Sequence, residues 1–199
     1  MKKHILLAAA ASLALAPAAF AQSGAGAASE RAAGQSQLKS ADQDFVKKAT
    51  IGGLFEVESS ELAQDKGQSA EVKEFAAQMI KDHGKANKEL GSLAGDLNAQ
   101  QPSQLDSKHQ QALQKLESVA EGAEFDRAYI QAQRDAHREA VSLFQSYSKS
   151  GGNQQLTSWA QKTLPVLQEH QQHVQQLNVA SRGGGDSSST GRSSATPPR

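Results

Sequence analysis

The chain has 199 residues, with 21 basic and 21 acidic side chains, a formal net charge of zero at pH 7, and no cysteine. That length suits one domain once removable ends are set aside. Without cysteine, neither disulfides nor thiolate metal sites are open to it, so any metal must be held by His, Asp or Glu. No basic run and few aromatics exclude nucleic acid as the expected partner.

Residues 1–21 read as a secretory leader. Lys2 and Lys3 form the positive start, Ile5 to Leu15 the apolar stretch, and Ala19-Phe20-Ala21 the small-residue cleavage site, which places the mature start at Gln22. The apolar stretch is shorter than the ~20 residues that span a bilayer. No later segment is apolar enough to do so, and no cysteine follows the cleavage site for lipid attachment. Residues 22–39, rich in Ala, Gly, Ser and Gln, and residues 180–199, rich in Ser and Gly, bury too little apolar surface to offset the entropy of ordering. Both are expected to be disordered linkers flanking a folded domain over 40–179.

Between them the apolar period is helical throughout. Ser40 with Gln43 forms a capping-box pattern at the start of a first helix that stops at Gly67. Ser69 caps a second helix, whose apolar positions Val72, Ala76, Met79, His83, Ala86, Leu90, Leu93 and Leu97 alternate four and three apart, as a bundle seam does. Pro102 is expected to break it. A short amphipathic helix over 106–120, starting at Asp106, precedes a third long helix from about Ala123 to Ser148, ended by Gly151-Gly152. The fourth runs from Asn153 to about Val179, with a bend expected at Pro165. The fold class is therefore all-α. The long, partly helical connection between helices two and three predicts the crossover of a ferritin-like four-helix bundle.

Chemistry concentrates in one predicted slab. His83 sits at the centre of the stripe of helix two, His170 near the centre of that of helix four, and His137 within that of helix three, with Asp126 and Gln133 close to its direction. On helix one, Glu58 points along the face of Ile51, Leu54, Phe55 and Leu62, and Glu56 along the small-residue side with Ala49, Gly52, Gly53 and Ala63. With helices one and four running up and two and three down, Glu56 or Glu58 and the three histidines fall within roughly 7 Å along the axis. Inward imidazoles and carboxylates from different helices are how bundle metal sites are built, here for a divalent metal such as zinc or iron. The competing reading is a hydrogen-bond network in which Asp126, Tyr129 and Gln133 satisfy the imidazoles. No helix carries the E-x-x-H pair of di-iron carboxylate bundles: positions 80, 134 and 167 are Ile, Arg and Leu. His173, Asp106 with His109, and the Gln-rich face of helix four read as surface or helix-end features. The Gly52-Gly53 pair reads as close approach of a neighbouring helix, and no nucleophile–base arrangement is visible, so no catalytic residue is assigned.

The segments DFVKKATIGGLFEVESSELA, VKEFAAQMIKDHGKANKEL, FDRAYIQAQRDAHREAV and WAQKTLPVLQEH resemble the successive blocks of an exported bacterial family, domain-of-unknown-function family four-one-four-two, which often carries an outer-membrane protein label. The resemblance covers about residues 40–178 and implies membership of the ferritin-like superfamily. By motif it carries over Glu56, Asp82, His83, Asn87, Phe125, Asp126, Tyr129, His137, Pro165 and His170. It brings no reaction with it. The expected function is that of an exported, periplasmic or secreted helical module acting by binding, in envelope or stress physiology, with an envelope component or a second copy as partner. The alternative is a metal-binding ferritin-like protein, for storage, detoxification or redox. Protein exported by a bacterial host should have the intact mass of a chain starting at Gln22; a mass retaining Met1 to Ala21 would refute the leader.

Overall fold

The computed structural model describes residues 38–177, and the expectations for the leader, for most of the first linker and for the tail lie outside them. Five helices follow in order: α1 Ser40–Lys66, α2 Ala70–Asp96, α3 Ser107–Glu117, α4 Ala123–Ser150 and α5 Gln154–Gln176. No strand occurs among the described residues. The four long helices form the bundle, and α3 packs across α1 and α4.

The helix ends show why the chain breaks where it does. Ser69, Asp106 and Asn153 each accept a backbone N–H of the first turn they precede, which satisfies donors that no helix bond can reach. The capping box expected at Ser40 does not form. Ser40 is already helical, Lys39 is the cap residue and makes no side-chain bond, and Leu38, placed in the linker by its composition, packs against the core. At the far end of α2, termination comes before Pro102. Asn98 takes a left-handed φ of 53°, and Ala99 N–H bonds to Ala94 O at 2.8 Å, closing the last turn. The α5 helix runs unbroken through Pro165.

Two buried aspartates fix the topology. Asp126, in the first turn of α4, accepts N–H bonds from Gln68 (3.0 Å) and Ser69 (2.9 Å) in the α1–α2 turn. Asp42, in the first turn of α1, accepts from Gly152 N (2.9 Å), Asn153 N (3.2 Å) and Tyr147 Oη (2.6 Å) at the α4–α5 turn. Each helical hairpin thus clamps the turn of the other. The clamps place the start of α4 beside the end of α1 and the start of α5 beside the start of α1, so α2 and α4 run opposite to α1 and α5. This is the crossover connectivity of ferritin-like bundles.

The core divides along the bundle axis. One apolar cluster gathers Phe75, Met79, Phe125 and Tyr129 with Val174. The other gathers Phe45, Leu90, Phe144, Tyr147 and Leu156, with Phe45 stacked on Tyr147 at 3.7 Å between ring centroids. Between them in sequence order on their helices stand His83, His137 and His170, and Glu56 of α1 joins them, each at most 6 % exposed.

Truncating either clamp strands buried donors, which costs about 1.5–3 kcal/mol for bonds to a charged acceptor. Asp42→Ala and Asp126→Ala should each lower unfolding free energy by about 2–3 kcal/mol in urea titrations. Their effects should add in the double variant, because the clamps lie a helix length apart.

Candidate metal centre

The structure brings His83 of α2, His137 of α4 and His170 of α5 into one group, with His137 edge-on to the other two rings. Their ring centroids stand 5.5 Å (His83–His137), 5.4 Å (His83–His170) and 5.5 Å (His137–His170) apart. One ring nitrogen of each lies within 4.8 Å of one from each of the others. Three nitrogens around one ion with bonds of about 2.0–2.1 Å would stand about 3.3 Å apart, so side-chain adjustments of about 1.5 Å or less would close the set.

The outward nitrogens are already oriented. His137 Nδ1–H donates to its own helix at Gln133 O, 3.0 Å away, and His170 Nε2–H donates to Asp82 Oδ2 on α2, 3.1 Å away. Those bonds assign the tautomers and leave the lone pairs of His137 Nε2 and His170 Nδ1 inside. Both inner atoms, together with His83 Nε2, are buried and have no hydrogen-bond partner among the described residues. The side chains expected to satisfy them are engaged elsewhere. Asp126 holds the α1–α2 turn, Tyr129 Oη pairs with Ser60 Oγ at 2.8 Å, and Gln133 Nε2 donates to Ser59 Oγ at 3.0 Å.

The two candidate carboxylates separate. Glu56, on the small-residue side of α1, is 2 % exposed and brings Oε1 to 3.2 Å from His137 Nδ1. That ring N–H points at Gln133 O and the Gln133 amide N–H at Ser59 Oγ, so neither Glu56 oxygen accepts a hydrogen bond of good geometry, although the Gln133 amide stands near enough to favour its charged form. Glu58 is half-buried, with Glu61 and Glu117 as neighbouring charges, and stands outside the histidine group. The difference follows from what covers α1: its small-residue face meets the bundle interior, while the face of Glu58 lies toward the end of α3. Asp82, which orients His170, has no signal of its own in the periodicity, since it is half-buried beside the stripe of α2.

Burial decides the charge state of this layer. It pushes the His83 imidazole well below its ordinary range, with His137 and His170 adding repulsion. Burial also pushes His137 down to about 4, opposed by the bond to Gln133, and lowers His170 against the opposing pull of Asp82. Glu56 is pushed up to about 8 by burial, with Gln133 opposing. At neutral pH the layer is therefore three neutral imidazoles and a carboxylic acid, and the inner lone pairs are free. A cavity of about 420 Å³ adjoins it, with Glu56 and His83 in its wall.

The lowered imidazoles resist protonation that the unfolded chain accepts from about pH 6.5 downward, so their contribution to stability is present above that pH and lost as pH falls through it. Glu56 is raised, so its contribution is present below about pH 4.5 and lost as pH rises toward 8. Glu56→Gln in chelator-treated protein should raise the melting temperature at pH 8 and leave it little changed at pH 4.5, measured by thermal scans across pH.

The fold is similar to that of three solved structures. A DUF305 fragment from Deinococcus radiodurans matches with a TM-score of 0.62 at 9 % identity, covering 70 % of this chain and 96 % of that one. The structure described as "putative secreted protein DUF305 from Streptomyces coelicolor" matches with a TM-score of 0.58 at 14 % identity, over 67 % and 88 % of the two chains. CopM in its Cu(II)-bound form matches with a TM-score of 0.58 at 18 % identity, over 68 % and 93 %. At these identities the likeness is one of fold. No curated protein matches the chain. The family model described as "Domain of unknown function (DUF4142)" matches residues 27–177, and the chain belongs to that family.

Proposed function

We propose that the protein binds a single divalent transition-metal ion through His83, His137 and His170, as a sequestering protein of the cell envelope. The observation that carries this is the set of three buried, unpartnered imidazole nitrogens turned toward one point. A structural histidine layer would instead pair those atoms, since a buried unpaired polar atom costs about 1–3 kcal/mol. The Asp82–His170 and Gln133–His137 bonds are of the kind that fixes tautomer and raises basicity in metal-ligating histidines.

The donor set bears on which metal. Three imidazoles suit copper, zinc, nickel or iron, and the ordinary affinity order puts Cu(II) first. Iron of the di-iron kind is disfavoured, because Glu56 is the one buried glutamate among the described residues and the E-x-x-H pairs are absent. The similarity of fold to CopM, described with Cu(II) bound, supports placing copper ahead of zinc. Export is part of the same proposal. It is supported by the leader pattern and by the secreted relative in fold, and no described helix is long and apolar enough to cross a membrane.

Protein purified without an affinity tag should bind about one Cu(II) per chain, by elemental analysis and titration calorimetry. His83→Ala and His137→Ala should each weaken binding at least 100-fold, and Asp82→Asn about tenfold through His170 alone. His83→Ala should remove the rise in melting temperature that metal gives wild type. Equal destabilisation with and without chelator would make the layer purely structural and sink the proposal.

A further inference from the structure

The mutual clamps expose a relation between the two hairpins. Residue n of α1–α2 answers residue n plus 84 of α4–α5. Asp42 answers Asp126, Gly67 answers Gly151, and the clamped pair Gln68 and Ser69 answers Gly152 and Asn153. The core follows the same offset, with Phe45 answering Tyr129, Val72 answering Leu156, Ala76 answering Ala160 and Leu90 answering Val174.

At this offset the histidine layer answers to a second, unlike layer. His137 answers Gly53, His170 answers Ala86, Glu56 answers Ala140, and His83 answers Leu167. All four counterparts line the 420 Å³ cavity. At this offset the cavity is the counterpart of the polar layer, with small or apolar residues on each hairpin where the other hairpin carries ionisable ones. Gly52 enlarges it further, since a Cβ there would meet nothing within 4 Å. The cavity reaches the polar layer at His83 and Glu56. His83 is also the most exposed of the three imidazoles, at 6 % against 0 % and 1 %.

We propose that this cavity is a ligand chamber opening onto the histidine site, taking a small organic anion with an apolar body whose donor atom reaches the ion held by His83, His137 and His170. The inference rests on the metal reading above. Three protein ligands and an adjoining space are the arrangement of a site with an open position, in contrast to a closed structural one. The three imidazoles bring no charge to a divalent ion, and the two nearby acids, Asp82 bonded to His170 and Glu56 beside His137, stand outside the histidine group, so an anionic donor suits the fourth position. The walls, with Ile51, Leu143, Phe144 and Trp159, suit an apolar body. Of the lysines that line the cavity, Lys48 is paired with Asp44 and Lys108 with Glu139, while Lys47 has no ion-pair partner among the described residues and gives an entering anion a cation. A volume of this size matches small-molecule sites at their lower end.

Trp159 is the chain's one tryptophan and lines the chamber, so its fluorescence reports occupancy with or without metal. The experiment titrates benzoate into the full chain, metal-free and Co(II)-loaded, reading Trp159 emission and the Co(II) d–d bands. Wild type is expected to show a saturable change in both, with tighter binding when Co(II) is present. Gly52→Leu and, as a second filling variant, Ala140→Leu should weaken benzoate binding at least tenfold while Co(II) affinity stays within about threefold. No saturable Trp159 response, or filled variants that bind benzoate like wild type, overturns the chamber and leaves the metal reading standing. Saturable quenching with unaltered Co(II) bands overturns the coordination of the anion. Absence of any Co(II) bands overturns the metal reading, and the metal-free arm still decides the chamber.

Discussion

The bundle is organised around the burial of four ionisable side chains at its middle. Three imidazoles and a carboxyl group are each at most 6 % exposed, and burial is the largest influence driving all four toward their neutral forms. A neutral imidazole has one donor and one acceptor nitrogen, so fixing the donor fixes where the lone pair points. For His137 and His170 the donor is spent outward, on Gln133 O and Asp82. The lone pairs are consequently held inside, and the remaining architecture serves to keep them there.

Rigidity at that layer comes from its two ends. The apolar clusters on either side hold the four helices in fixed register, and the Asp42 and Asp126 clamps lock each turn to the opposite hairpin. A bundle held at both ends transmits little slack to its middle, which is what a preorganised ligand set requires. The crossover contributes by freeing the hairpins from a tight turn between α2 and α4. The α3 segment packs on α1, with His109 set edge-on to Phe55 at 5.5 Å, and Asp106 and Lys108 reach the cavity wall.

The near two-fold relation of the hairpins gives the asymmetry of the middle its meaning. The clamps and the apolar positions are duplicated, so the framework tolerates the same kind of residue in both halves. The middle layer is not duplicated: the first hairpin carries Glu56 and His83 where the second has Ala140 and Leu167, and the second carries His137 and His170 where the first has Gly53 and Ala86. The smaller side chains at Gly53, Ala86 and Ala140 leave volume, and that volume lies beside the polar layer. Gly53 shows the limit of this loss, since a Cβ there would run into the Asn87 side chain, while Gly52 next to it faces open space.

Much of this was written in local patterns. The four-three spacing from Val72 to Leu97 announced α2 and put His83 on its seam, because a helical stripe is set by near neighbours along the chain. The caps at Ser69, Asp106 and Asn153 were equally readable, since each bonds within its own first turn. Similar helix lengths even brought the three histidines to one height. Sequence left other choices open wherever a second helix was needed to decide them. Glu56 and Glu58 both had a plausible inward face on α1, and the packing of α4 and α3 against that helix buried one and left the other half-exposed. From the sequence, Asp126 reads as a partner for the imidazoles and Asp42 shows no signal, yet they cap turns 58 and 110 residues away. Asp82 lay off the stripe of its helix and found its role only in α5. Which segments are helical and which of their faces are apolar follow from the amino-acid order, because those depend on neighbours three and four residues apart. Which nitrogens are left without partners, and where space remains, follow from how the helices pack, because a hydrogen bond or a void between helices belongs to no single helix.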